Sequence, residues 1–288
     1  MIQAYIVPVI GLAVCAAMPA HAQSGDQSRE GETQPALVVS GSATLTSYYR
    51  FRGVSQTNEE MAVQGGLTVS HESGFYVGTW ASNLSGWGTF GGANMELDLL
   101  GGYRAQLLDN AALDLGLIWY KYPSGADKTD FAETYVKLSG ATGPATLTAG
   151  AAYAPKQQAL GRWYRTGADA AAGAYNAPGD KKDNLYLWGD AAVAVAGTPI
   201  TAKAHIGHSW GNDGLGPNAT SVAPTGRYWD WALGADTTWR NLPLNVSYID
   251  TDISGSEAAY LQPTFSKGQD GSGSIANGTV IVSLTAAF

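Results

Sequence analysis

Histidine, cysteine and the charged side chains are where chemistry would have to begin, and this sequence is sparing with them. It holds 4 His, 1 Cys, 16 Lys and Arg, and 24 Asp and Glu in 288 residues, a charged fraction of 14%, against roughly a quarter in an average soluble domain. His205 could serve as a general base if Asp190 or Asp236 oriented it, the arrangement a hydrolase needs. It could not share a metal with His208: their odd separation puts them on opposite faces of an extended strand. The only thiol, Cys15, lies in an apolar N-terminal run, so the mature chain is expected to carry no disulfide and no thiolate metal site. Any polar enclosure gathers His–carboxylate pairs without catalysis. No catalytic set, metal set or cofactor is therefore expected, and the chain reads as a non-enzyme. Its net charge of -8 argues against nucleic acid as a partner, which calls for a basic stripe.

The remaining charges are sorted by the elements that carry them. Apolar residues recur at every second position in about twelve segments: 42–53, 61–72, 74–83, 93–105, 111–122, 130–140, 145–154, 184–196, 199–210, 227–240, 243–252 and 278–288. Such alternation predicts two-faced strands. The connections alternate too. Tight turns such as Glu72-Ser73-Gly74 and Asn241-Leu242-Pro243 take turns with long ones such as 155–183 and 253–277. A sandwich has no reason to gather its long loops at one end; a transmembrane barrel does. The fold class expected is an all-β, antiparallel, up-and-down transmembrane barrel of about 12 strands, with both termini at the short-turn, periplasmic side. Its apolar face meets lipid, where a mid-membrane charge would cost roughly 2–4 kcal/mol. In this register Arg50, Arg52, Glu96, Asp98, Arg104, Asp114, Glu133, Lys137, Asp190, Lys203, Asp230 and Asp236 all point inward. Trp229 and Trp231 near one end, and Trp239 and Phe288 near the other, would form aromatic girdles at the two interfaces.

Residues 1–22 read as a cleavable leader, with an apolar stretch from about Ile6 to Met18 ending in Ala20-His21-Ala22. Residues 23–40 are polar and aperiodic and read as a disordered lead-in, leaving 41–288 for the barrel.

The stretch GSATLTSYYRFRGVSQTNEEMAVQGGLTVSHESGFYVGTWASN, residues 41–83, resembles the TorF family of Gram-negative outer-membrane porins. The resemblance lies in Leu45 to Gln56, Gln64 to Gly66 and His71 to Asn83, and the rest of the chain follows the pattern loosely. It implies a barrel in the outer membrane that passes small solutes, and it names no solute.

Together these features point to passive diffusion of small hydrophilic solutes or ions. Arg50 and Arg52 on the first strand would face Glu96 and Asp98, a transverse field that orients solutes; the same charges could equally knit a closed interior. The slight acidic excess predicts weak cation preference. The loop at 155–183, with Arg162 and Arg165, would either fold inward as a constriction facing acidic wall residues or stay at the surface with a short helix. A closed barrel acting through its long loops is the competing reading. The chain ends TVIVSLTAAF, which should pair with the first strand near Leu45 to Phe51. A terminal aromatic after alternating apolar residues is also the pattern read by the barrel-assembly machinery.

Overall fold

A computed structural model describes residues 36–288; the leader expected at 1–22 and most of the lead-in lie outside the described residues. Strand alternation is realised in fourteen strands: β1 (Leu37–Thr46), β2 (Arg50–Phe51), β3 (Val54–Ser55), β4 (Ala62–His71), β5 (Phe75–Asn83), β6 (Met95–Leu108), β7 (Ala111–Lys121), β8 (Phe131–Thr142), β9 (Ala145–Gln157), β10 (Lys182–Ala194), β11 (Thr201–Trp210), β12 (Arg227–Trp239), β13 (Leu242–Thr251) and β14 (Thr279–Ala287). Twelve of them close into a barrel in the order β1-β14-β13-β12-β11-β10-β9-β8-β7-β6-β5-β4, while β2 and β3 form a separate hairpin. Every barrel neighbour is antiparallel.

The connections divide as anticipated. β12 and β13 are joined by Arg240 and Asn241 alone, both with positive φ (48 and 68°), as a two-residue hairpin requires. At the next short-turn position, a Cβ on Gly74 would sit 2.3 Å from the Arg104 carbonyl, and φ there is +97°; only glycine fits. The long connections all leave the opposite rim.

The outer face is apolar along its whole height. Leu67, Val77, Leu115, Leu233, Val246 and Val280 are all substantially exposed, Leu233 at 61%. A water-soluble domain of this size does not expose so continuous an apolar band, whereas a lipid-facing barrel must. The interior is packed by aromatic rings lying on glycines of neighbouring strands. A Cβ on Gly150 would stand 2.2 Å from the Trp188 ring, and one on Gly207 2.0 Å from the Tyr186 hydroxyl.

The largest departures from the expected strand boundaries are at the two ends of β1. The barrel begins at Leu37 rather than near 41, because β4 extends to His71 and offers Leu37 a partner. At the other end of β1 the ladder stops at Thr46, so the strand predicted to run to residue 53 is seven residues too long. The closing strand consequently pairs with Ser42–Thr46, in register with Ala287–Ser283, so of the expected Leu45 to Phe51 only the first residues take part. Phe288 finishes the seam: its N–H donates to the Gly41 carbonyl at 3.0 Å and its carbonyl accepts from the Gly41 N–H at 2.8 Å. Its ring lies over Gly41, where a Cβ would come within 2.6 Å.

Candidate functional site: the lumen

Beyond Thr46 the chain does not climb the wall; it turns into the barrel. β2 and β3 pair as Arg50↔Ser55 and Phe51↔Val54, with Arg52 and Gly53 as the two-residue turn, both at positive φ (48 and 80°). A Cβ on Gly53 would meet Thr251 Cγ2 at 2.4 Å and Asp230 Cβ at 2.9 Å. The tip is therefore wedged against the wall at β12 and β13, and glycine is needed for both shape and backbone. Arg50 and Arg52 thus belong to a hairpin inside the lumen, not to the first strand's inward face. The physical reason is local: a positive-φ Arg-Gly pair supports a hairpin turn and cannot continue a strand.

Arg52 spans the cavity. Its Nη2 donates to both Glu133 oxygens at 2.7 Å, its Nη1 to Asn184 Oδ1 at 2.8 Å, and its guanidinium lies 4.2 Å from the centroid of the Tyr186 ring. Glu133 is on β8 and Asn184 on β10, seven and five places from β1 around a ring of twelve, so the contact crosses the barrel. The Tyr228 hydroxyl donates to the Arg52 carbonyl at 2.9 Å. Arg50 donates to the Gly53 and Asn277 carbonyls, each at 2.7 Å. Tyr49, at the hairpin's base, donates to Glu96 Oε1 at 2.7 Å. The expected opposition of Arg50 and Arg52 to Glu96 and Asp98 is corrected accordingly: Arg52 takes Glu133, and Arg50 takes backbone oxygens.

Above the hairpin the long loops meet in a second apolar core. Val54 at the hairpin packs beneath Trp87, Trp163, Leu215, Leu261 and Phe265. The 158–181 connection contributes Trp163 and Tyr164 to this cap, while Ala159 and Leu160 at its start pack with the inward rings of Tyr122 and Phe131. The Trp163 and Tyr164 N–H groups donate to the Leu215 carbonyl at 2.8 and 3.0 Å. Arg162 pairs with Asp213 of the neighbouring loop at 3.1 Å, and Arg165 is exposed, so neither faces the acidic wall. The short helix anticipated there is α1 (Gly167–Ala171), begun by a capping box of Thr166 and Asp169.

The other charges expected to point inward sit on the wall, mostly in pairs. Asp114 gathers Arg104 at 3.0 Å and Lys137 at 3.3 Å and accepts from Tyr76 Oη at 2.6 Å; that hydroxyl also contacts Tyr135 Oη. Lys203 pairs with Asp236 at 3.0 Å, which also accepts from Asn245 at 2.6 Å. His205 lies between Asp190, 2.7 Å from Nδ1, and Asp230, 3.1 Å from Nε2, with Tyr186 Oη 3.0 Å from Nε2. Asp236, considered as its orienting partner, is bound elsewhere. Among the described residues the hydrogen-bond partners of His205 are two carboxylates and a phenol. His208 points outward, 4.6 Å from the Trp229 ring and 4.0 Å from Trp210.

Towards the short-turn rim the inward residues become small or polar. Gly66, Gly102, Gly116, Ser139, Thr148, Ser283 and Thr285 are each partly exposed although they face inward, so that part of the lumen is accessible to solvent. On the outer face Trp229 and Trp239 are 46% and 51% exposed, Phe288 74%, and Trp231 is half-buried.

Tyr49, Asn184 and Tyr228 were not anticipated as part of this arrangement. The one sequence signal was the glycine of RFRGVS, an interruption inside an apparently continuous strand.

A family model described as "Bacterial protein of unknown function (Gcw_chp)" matches residues 30–288. No curated protein matches the sequence. Among solved structures, the chain is similar to the KdgM porin at 7% identity, covering 86% of this chain and 98% of that one, with a TM-score of 0.48. It is also similar to a porin refined at 1.8 Å, at 11% identity over 88% and 99% of the two chains with a TM-score of 0.38. A third similarity is to the outer membrane protein OpdK from Pseudomonas aeruginosa, at 12% identity over 89% and 68% with a TM-score of 0.40.

Proposed function

The chain belongs to the Gcw_chp family of bacterial proteins of unknown function, and from that premise we propose that its barrel lies in the bacterial outer membrane as a channel for passive diffusion of small hydrophilic solutes or ions, closed in this conformation by the β2–β3 hairpin. One observation carries the reading. The solvent-accessible, polar part of the lumen ends at a segment of chain that reaches across the barrel and is anchored by Arg52, Tyr49 and Tyr228. A barrel with a purely structural interior needs no such solvent-accessible part. The apolar exterior supports a membrane setting, and the resemblance of residues 41–83 to the TorF family points the same way. The leader at 1–22 would take the chain out of the cytoplasm.

Selectivity follows from which inward charges stay uncompensated. Glu133, Asp114 and Asp236 have Arg or Lys partners, whereas Glu96 and Asp98, both 2% exposed, have none among the described ion pairs. A weak cation preference would arise from these two. In planar bilayers the purified protein is expected to give small, intermittent conductance steps, with reversal potentials in a KCl gradient on the cation side. Absence of any conductance, in the wild type and in hairpin variants alike, would favour the second reading: a closed barrel acting through its long loops. The apolar core under those loops is the observation on that reading's side. Among the described residues His205 is held by Asp190, Asp230 and Tyr186 and by no Ser or Thr hydroxyl, which weighs against a hydrolase.

The seam at Phe288 supports a role in assembly. Its ring covers Gly41, and its backbone supplies both terminal hydrogen bonds of the closing pair. Removing Phe288 is expected to lower the fraction of folded barrel in outer-membrane preparations several-fold, read by heat-modifiable gel mobility. Undiminished assembly would remove this residue as a signal to the barrel-assembly machinery.

A further inference from the structure

His205 is gripped from both sides. It lies on β11, faces inward and is 6% exposed. Asp190 is its register partner on β10, with Oδ1 2.7 Å from Nδ1. Asp230 of β12 places Oδ1 3.1 Å from Nε2. Both carboxylates are buried. Tyr186 of β10 completes the group: its hydroxyl is 3.0 Å from Nε2 and donates to the Asp230 oxygens at 3.1 Å. A neutral imidazole has one N–H and one lone pair. Here it could donate to one carboxylate only, while its lone pair faced the other or drew the Tyr186 proton away from Asp230. The doubly protonated ring leaves nothing unsatisfied. One N–H goes to Asp190, the other to Asp230, and the phenol O–H also reaches Asp230.

The same residues form the seat of the hairpin tip. A Cβ on Gly53 would come within 2.9 Å of the Asp230 Cβ. The Arg52 guanidinium lies 4.2 Å from the Tyr186 ring centroid, and Tyr228, two residues before Asp230, donates to the Arg52 carbonyl. The buried carboxylates in this part of the lumen are Asp190, Asp230 and Glu133, and the cations that meet them are His205 and Arg52. Lys203, the other inward charge of β11, is taken by Asp236. With His205 charged, Asp190 and Asp230 share the imidazolium and Arg52 is left to Glu133, which is the pairing observed. With His205 neutral, Asp190, Asp230 and Glu133 would have one guanidinium among them. An uncompensated buried carboxylate is strongly unfavourable, and letting water in by unseating the hairpin relieves it.

We infer that His205 is a positioning residue of the closure: its doubly protonated ring fixes Asp230 and Tyr186 beneath the hairpin tip, and loss of a ring proton to solvent releases the tip. Raising the pH therefore unseats the hairpin. As a statement about conduction this rests on the hairpin being the closure proposed above; as a statement about where the hairpin sits it does not.

The test reads the hairpin directly. Ser55 on β3 is 0% exposed, and Cys15 is the one cysteine of the sequence. In a Cys15→Ser background, Ser55→Cys thus reports unseating as reaction with a maleimide in detergent. Dividing each rate by that of the same thiol in urea-unfolded protein cancels the titration of the thiol itself. Between about pH 7 and about pH 10 the normalised rate is expected to rise about tenfold. In His205→Gln it should be high at both ends and flat. Nitrogen NMR of histidine-labelled protein at about pH 7 should show a ring protonated at both nitrogens, and this signal should survive His71→Gln and His208→Gln. That measurement leaves the seat intact, so it holds even where His205→Gln fails to fold. A flat profile with His205 in place overturns the proposal. An equal rise in His205→Gln overturns it too, since the titrating group is then another, and so does a neutral His205 ring at the lower pH. A rate that titrates in a barrel that never conducts leaves this inference standing and removes the channel reading. Openings that depend on Arg52 but ignore pH do the reverse.

Discussion

Arg52→Ala is expected to open the barrel and to destabilise it together. The guanidinium and the Glu133 carboxylate are 4% and 3% exposed, and removing one partner of a buried pair costs about 3–5 kcal/mol because the other charge is left unpaired. Asn184 loses its donor as well. The Tyr228 bond survives, since it is made to the Arg52 backbone carbonyl, so the hairpin keeps that anchor together with those of Tyr49 and Arg50. Single-channel recordings should then show larger and longer openings than in the wild type, and the unfolding midpoint should fall. A second variant separates gating from folding. Replacing both partners, Arg52→Met with Glu133→Met, removes the unpaired charge, and such apolar replacements are often neutral or stabilising. The double variant should regain most of the stability but not the polar latch. Arg52→Ala with wild-type conductance, in protein shown to be folded, would sink the hairpin as the closure.

Leu233→Arg tests the inversion of the fold itself. Leu233 is central in β12, faces outward and is 61% exposed. On a soluble protein such a position tolerates arginine within about 0.5 kcal/mol. At a bilayer midplane the same change costs roughly 2–4 kcal/mol, since no water reaches the guanidinium. The matched inward variant is Thr148→Arg. Thr148 is partly exposed in the solvent-accessible part of the lumen and pairs in register with Asp190, which would accept the new charge. Urea unfolding from lipid vesicles should therefore show a clear loss for Leu233→Arg and little change for Thr148→Arg. Equal effects at the two sites would contradict the assignment of faces.

The wall of this molecule was legible because its information is local. Successive side chains of a strand point to opposite faces, so Glu96, Asp98, Asp114, Glu133, Lys137, Asp190, Lys203 and Asp236 could be placed inside from their parity with apolar neighbours. The two-residue and three-residue turns were legible for the same reason. Strand ends were read less well. Nothing in the alternation of LTSYYRFRGVS announces that β1 ends at Thr46, because the hairpin that follows is itself built of strands and keeps the same period.

What the sequence by itself determined is the barrel: strand number, the inward and outward faces, the rim that bears the long loops, and the seam closed by the last strand. These follow from backbone geometry and from the opposite demands of lipid and water. Only the tertiary structure decided which charges meet. Arg52 reaches Glu133 across 81 residues of sequence and Asn184 across 132, and His205 joins Asp230 in place of Asp236. Such pairings depend on ring order, strand stagger and the depth to which one hairpin descends. None of these leaves a period in the chain, so parity could put Glu96 and Asp98 inside but could not reveal that neither forms an ion pair among the described residues.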